Sequence, residues 1–131
     1  MIIFESSKEL TISSEIHDDP IQMVYQFFVH PNAARHAEIQ YVLKKNCENL
    51  QVKQIVLLNE RLYTAKELGI ESPKIIQIII GKRLTFQAVF KHIEESKYQG
   101  YNVIVNADIF INEQIQLIRR SNLHNTKSML A

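Results

Sequence analysis

"KIIQIIIGKRLTFQAVFKHIEESKYQGYNVIVNA", residues 74–107, is the stretch whose reading decides the fold. It opens with Ile75, Ile76, Ile78, Ile79 and Ile80, which leave almost no polar face. Such a run predicts a parallel strand covered on both sides, and Gly81 ends it. Phe86, Val89, Phe90 and Ile93 then recur at i, i+3, i+4 and i+7, which predicts an amphipathic helix with Thr85 placed to cap it. Gly100 breaks that pattern and "YNVIVNA" returns to β-formers. Strand, helix and strand joined by short links imply parallel pairing through a right-handed crossover.

The same alternation continues on either side. "IQMVYQFFVH" carries a β-rich run from Met23 to Val29, stopped by Pro31. "PNAARHAEIQYVLKKNCENL" follows, with Ile39, Leu43, Cys47 and Leu50 at helical spacing and a proline at the first turn. "VKQIVLLNE" is another strand candidate, and "RLYTAKELGIESP" has room for one helical turn, with Gly69 and Pro73 as its stop signals. Ile115 and Ile118 mark one face of a last helix, from about Asn112 to Ser121. Residues 1–20 read as a loosely attached leader with room for an edge strand, and 21–131 as the domain. The expected fold is α/β: a Rossmann-like parallel sheet of about four strands with helices on both faces.

Composition sets the outer limits. With 131 residues the chain suits one domain. Hydrophobic residues at 46% and charged residues at 22% are globular proportions. A net charge of +1 lacks the basic excess of a nucleic-acid or anionic-membrane surface. One cysteine, Cys47, excludes an internal disulfide and a cysteine metal cluster, which points to a reducing, cytoplasmic setting. No apolar run has the length of a transmembrane helix.

In parallel sheets ligands bind beyond the carboxyl ends of the strands, where strand order reverses. Those ends carry His30, Asn32 and Arg35 after the first strand, and Asn59 and Glu60 after the second. Lys82 and Arg83 follow the third, and Asn106 and Asp108 the fourth. Adjacent cations before a helix N-terminus suit an anion, because free N–H groups and the helix dipole already favour negative charge. An aspartate nearby suits a hard divalent cation bridging phosphate oxygens. Each has a plainer reading: solvated cations for Lys82 and Arg83, turn formers for Asn106 and Asp108, a surface acid for Glu60. His30 and His36 share no helix face at zinc-ligand spacing. Cys47, at a core-facing position, reads as a small buried hydrophobe. Tyr25, Phe27, Phe28, Phe86 and Phe90 read chiefly as core, with Phe28 available to border a base.

The segments "KIIQIIIGKRLTFQAVFKHI" and "NVIVNADIFI", after "QFF" and "IVLLNE", resemble a bacterial and viral family of GT-A-fold glycosyltransferase-like proteins, from about Gln26 onward. "RLTFQAVF" and "NADIF" are the sharpest pieces. The resemblance implies a nucleotide-diphosphate-sugar site in which Asp108 holds Mg or Mn against the donor diphosphate. It also implies that Arg83 contacts the donor, with His30 to Asn32 and Asn59-Glu60 bordering the nucleoside. Ile111, Asn112 and Glu113 depart from the further acids usual after that motif, and the chain reads as a truncated donor-binding half. The acceptor would be a carbohydrate or glycan hydroxyl. The alternative expectation is a non-catalytic α/β module that works through a partner or as a homo-oligomer, with an exposed sheet edge beside the fourth strand. A flavodoxin-like regulator ranks last, lacking the clustered acids and lysine such a protein needs.

Overall fold

The computed structural model describes residues 2–5, 20–96, 100–107 and 129–130. Among these described residues, six strands and three helices follow in the order β1 Ile2–Glu5, β2 Ile21–Tyr25, α1 Ala33–Glu48, β3 Val52–Asn59, α2 Ala65–Leu68, β4 Ile75–Ile79, α3 Phe86–Ser96, β5 Tyr101–Ile104 and β6 Met129–Leu130. They form one sheet of order β4-β3-β2-β5-β1-β6. The four strands β4, β3, β2 and β5 are mutually parallel, and β1 runs antiparallel to both β5 and β6. The chain thus steps outward from β2 through β3 to β4, then crosses back to lay β5 on the other side of β2. That reversal places a topological switch point between β2 and β5.

Helices cover both faces. On one, α1 turns Ile39, Leu43 and Cys47 onto Ile21, Met23, Ile55, Leu57 and Val103, and Leu68 of α2 joins them. On the other, Val89 and Ile93 of α3 pack on Val24, Val56, Leu58 and Ile104. Burying each such aliphatic side chain contributes about 1.5–3 kcal/mol, so the sheet needs both layers. Central β3 is accordingly buried from Ile55 through Asn59.

Local chemistry sets the helix ends. Asn32 caps α1, accepting from the Ala34 and Arg35 amides, so Pro31 lies one position before the cap instead of in the first turn. Leu50 falls beyond α1 and is 85% exposed, not part of its apolar stripe. Thr64 and Glu67 make a reciprocal capping box at α2, whose C-cap Gly69 is left-handed. Arg61 forks onto Glu67 and, with the Thr64 amide, holds that carboxyl down at about 2. On the α3 face, Gln22 donates to Asn102 at 2.9 Å and accepts from Gln54, a side-chain row linking β3, β2 and β5.

Three expectations change. The first run does not remain a strand to Val29: after Tyr25 the Phe27 amide leaves the ladder and donates to Asn59 Oδ1 at 2.9 Å. Strand β4 is not covered on both sides, because it is the sheet edge, and Ile76 and Ile79 are 40% and 49% exposed. The edge beside β5 is not open, since β1 pairs along it from Ile2 to Glu5. The expected helix near Asn112 to Ser121 lies outside the described residues. Among the described residues, no helix is long and apolar enough to cross a membrane.

Candidate functional site

The ends of β2 and β5 open into a groove of about 550 Å³. Gln26 and Phe28 come from the segment after β2, Glu60 from the end of β3, Arg83 to Phe86 from the start of α3, and Val105 to Ala107 from the segment after β5. This is the position that parallel α/β sheets use for ligands. Thr85 caps α3, accepting from the Ala88 amide at 3.2 Å, and the remaining first-turn N–H groups point back toward the strand ends. Arg83 adds a full positive charge beside them. Two aromatic rings complete the walls: Phe28 and Phe86 are 43% and 60% exposed although both are apolar.

Three of the residues expected at the site are brought together here: Glu60, Arg83 and Asn106. Asp108 lies outside the described residues. His30, Asn32 and Arg35 form a separate, self-satisfied turn at the start of α1. There His30 Nδ1 accepts from the Asn32 amide at 2.9 Å, and Arg35 pairs with Glu38 at 3.3 Å. Asn59 sits at its strand end but is fully buried. Its Oδ1 accepts from Phe27 and its Nδ2 donates to Gln77 Oε1 at 2.9 Å, so it braces β2 against β4 instead of facing the groove.

The neighbouring cations Lys82 and Arg83 part company. Arg83 lines the switch-point groove, whereas Lys82 lines a second hollow between α3 and β4. The two side chains line different hollows, so sequence proximity overstated their cooperation.

Gln26 is a residue the sequence reading missed. Its Nε2 donates to the Leu58 and Lys82 carbonyls at 3.0 and 2.9 Å, and its Oε1 accepts from the Leu84 amide at 3.3 Å. One side chain thereby pins the loop carrying Arg83 to the ends of β2 and β3. The signal in the sequence was slight: a single amide directly after a fully apolar strand end. Gln26→Ala is expected to cost about 1–3 kcal/mol and to lower the thermal midpoint by several degrees. Loss of amide protection in residues 82–84 by hydrogen exchange is the accompanying local signature; unchanged protection there would contradict the bracing role.

Buried titratable groups lie elsewhere. Burial first, and Cys47 next, push the Tyr25 hydroxyl well above its ordinary value. Burial likewise raises the Cys47 thiol, which favours the inert form over a nucleophilic thiolate. Among the described residues no group of three or more His, Cys, Asp or Glu side chains could hold a metal ion. Glu60 is the sole carboxylate among the described residues lining the groove. The chemistry gathered in the groove is a cation and helix amides, which suit negative charge, two exposed rings, and the polar side chains of Asn106 and Glu60.

Comparison with profiles of known protein families found no match, and comparisons with curated proteins and with solved structures found none. The resemblance to GT-A glycosyltransferases gains no support from them.

Proposed function

We propose that the switch-point groove binds a nucleotide-diphosphate sugar, and that glycosyl transfer to an acceptor hydroxyl is the reaction class it serves. The observation that carries this reading is the meeting, in one groove, of Arg83 before the α3 N-terminus with the exposed rings of Phe28 and Phe86. A ligand with a planar base at one end and a diphosphate at the other matches that pairing. The rings offer faces for the base, at about 1–3 kcal/mol for a stacked base. Arg83 and the α3 amides face the diphosphate through charge-assisted hydrogen bonds. Glu60 and Asn106 are placed to meet hydroxyl groups.

The described residues alone do not make a divalent-cation site, since Glu60 has no partner acid among them. The metal role belongs in this proposal to Asp108. Among the described residues no base for the acceptor hydroxyl lines the groove beyond Glu60.

Calorimetric titration with nucleoside diphosphate sugars tests the reading. Arg83→Ala is expected to weaken binding roughly 10- to 100-fold, as loss of hydrogen bonds to a charged group implies. Lys82→Ala, on the other side of α3, is expected to leave affinity within about twofold. Equal losses from the two variants would contradict the placement of the diphosphate, and no heat from wild type at millimolar ligand would overturn the site.

A further inference from the structure

On the other side of α3 from the groove, a hollow of about 580 Å³ lies between that helix and β4. Its size falls within the range of small-molecule sites. Helix α3 grips the sheet through Val89 and Ile93, which pack on Val24, Val56 and Leu58, and leaves Ile78 and Ile80 of the edge side only half-buried. Leu58, Ile78 and Ile80 form the apolar floor of the hollow, and the small side chain of Ala88 leaves room above them. Ala88, His92 and Glu95 recur at i, i+4 and i+7, so they form a stripe of α3 distinct from the one that grips the sheet. Lys82 and Lys91 complete the polar rim. Among the described residues neither lysine ammonium has a hydrogen-bond or ion-pair partner, whereas Lys74 Nζ is engaged by the Asn49 carbonyl at 3.1 Å. Burial lowers the His92 pKa against the pull of Glu95, so its imidazole is neutral at pH 7 and offers an N–H without a charge.

We infer that this hollow binds a small amphipathic monoanion, an alkyl carboxylate of medium chain length, with its chain on Leu58, Ile78 and Ile80 and its carboxylate held by Lys82 and Lys91. Charge selects the head group. Two unpartnered cations against one carboxylate leave a single positive excess in the hollow, which suits a monoanion and disfavours a dianionic phosphate. Glu95 stands about 15 Å along α3 from Thr85, so the acid lies toward the end of the hollow remote from Lys82. The floor selects the tail, because two half-buried isoleucines lose water in proportion to the apolar area that covers them. A ligand without a chain leaves that floor wet, and one without a charge leaves the lysines unanswered. This site is separate from the switch-point groove and does not rest on what the groove binds.

Octanoate, kept below the concentration at which it forms micelles, is the probe in an amide-resolved NMR titration of the 131-residue chain. Saturable shifts are expected at Ile78, Ile80, Lys82, Ala88 and His92, with Phe28 and Asn106 unmoved. Octanol is expected to bind about fivefold more weakly, and Lys82→Ala and Lys91→Ala each to cost octanoate about 2- to 5-fold at low salt, fading at high salt. Glu95→Gln is expected to tighten it by a similar factor. Ala88→Leu fills the hollow and is expected to weaken binding roughly tenfold or more, with an unchanged circular-dichroism spectrum. No shifts at Ile78 and Ile80 with millimolar octanoate overturn the site, and octanol binding as tightly as octanoate overturns the monoanion. Undiminished binding in folded Ala88→Leu overturns the location. Should Ala88→Leu not fold, Lys91→Glu at an exposed position takes its place: a loss of about tenfold at low salt is expected, and unchanged affinity overturns the inference equally.

Discussion

Gly100→Ala is expected to destabilise the protein by more than about 3 kcal/mol, a large fraction of the total stability of a domain. Gly100 is buried and has φ of +144°, a backbone conformation that side-chain-bearing residues rarely adopt. A Cβ added there would lie 2.2 Å from the Pro20 carbonyl oxygen and 3.2 Å from its carbon. Neither atom can swing aside, because that carbonyl accepts from the Tyr101 amide at 2.9 Å and fixes the start of β5 against the start of β2. The substitution would therefore push apart the two strands that define the switch point. Gly81→Ala is the control: it also has positive φ, at 70°, but an added Cβ meets nothing within 4 Å. Its cost is backbone strain alone, about 1–2 kcal/mol. Urea unfolding of the two variants checks the contrast, and equal midpoints would show that the close approach at Pro20 is not what Gly100 relieves.

Asn59→Ala is the second large effect, expected at about 2–4 kcal/mol. It strands the Phe27 amide, whose present acceptor is Asn59 Oδ1, and removes the donor to Gln77 Oε1. The Gln77 amide group is itself engaged with both backbone groups of Tyr63, at 3.0 and 2.9 Å, so the loss spreads to the loop after β3. Phe27 and Tyr63 stack edge to face with centroids 5.1 Å apart, which couples the same loop to the segment after β2. Asn59→Asp keeps the acceptor for Phe27 but sets a carboxylate against Gln77 Oε1, and buries a charge. It is expected to fold poorly near neutral pH and to recover as pH falls. Burial holds such a carboxyl above its unfolded value, so the neutral form is the one the fold retains. Thermal unfolding between pH 4 and 7 reads that trend; no recovery in acid would contradict it.

Much of the fold was legible because buried parallel strands read as aliphatic runs. "VKQIVLL" and "KIIQIII" announce themselves in that way, and right-handed crossovers limit how they can pair. What the pattern did not carry was coverage. A run of five isoleucines within residues 75–80 looks alike whether one flank or both are covered, and only the strand order shows that β4 is an edge. The antiparallel placement of Ile2–Glu5 beside β5 depends on a contact about 100 residues apart, and local propensity says nothing about it.

The site divides along similar lines. Arg83, Glu60 and Asn106 were legible because strand-end position alone places a residue near the switch point. Asn59 occupies an equivalent position, yet its side chain turns inward, and an amide at a strand end looks the same whether it braces or binds. Phe86 matched the apolar stripe of α3 by spacing, but as the first residue of the helix it projects past the sheet into the groove. Side-chain direction decided these assignments, and residue type did not.

The most direct measurement of the central claim is an amide-resolved NMR titration with a nucleoside diphosphate sugar, with the free nucleoside and pyrophosphate as separate probes. A nucleotide site at the switch point predicts the largest shifts at Gln26, Phe28, Arg83, Thr85 and Asn106, with pyrophosphate moving Arg83 and Thr85 and the nucleoside moving Phe28 and Phe86. Shifts confined to Lys91 and His92 on the far side of α3, or none at millimolar ligand, would contradict it.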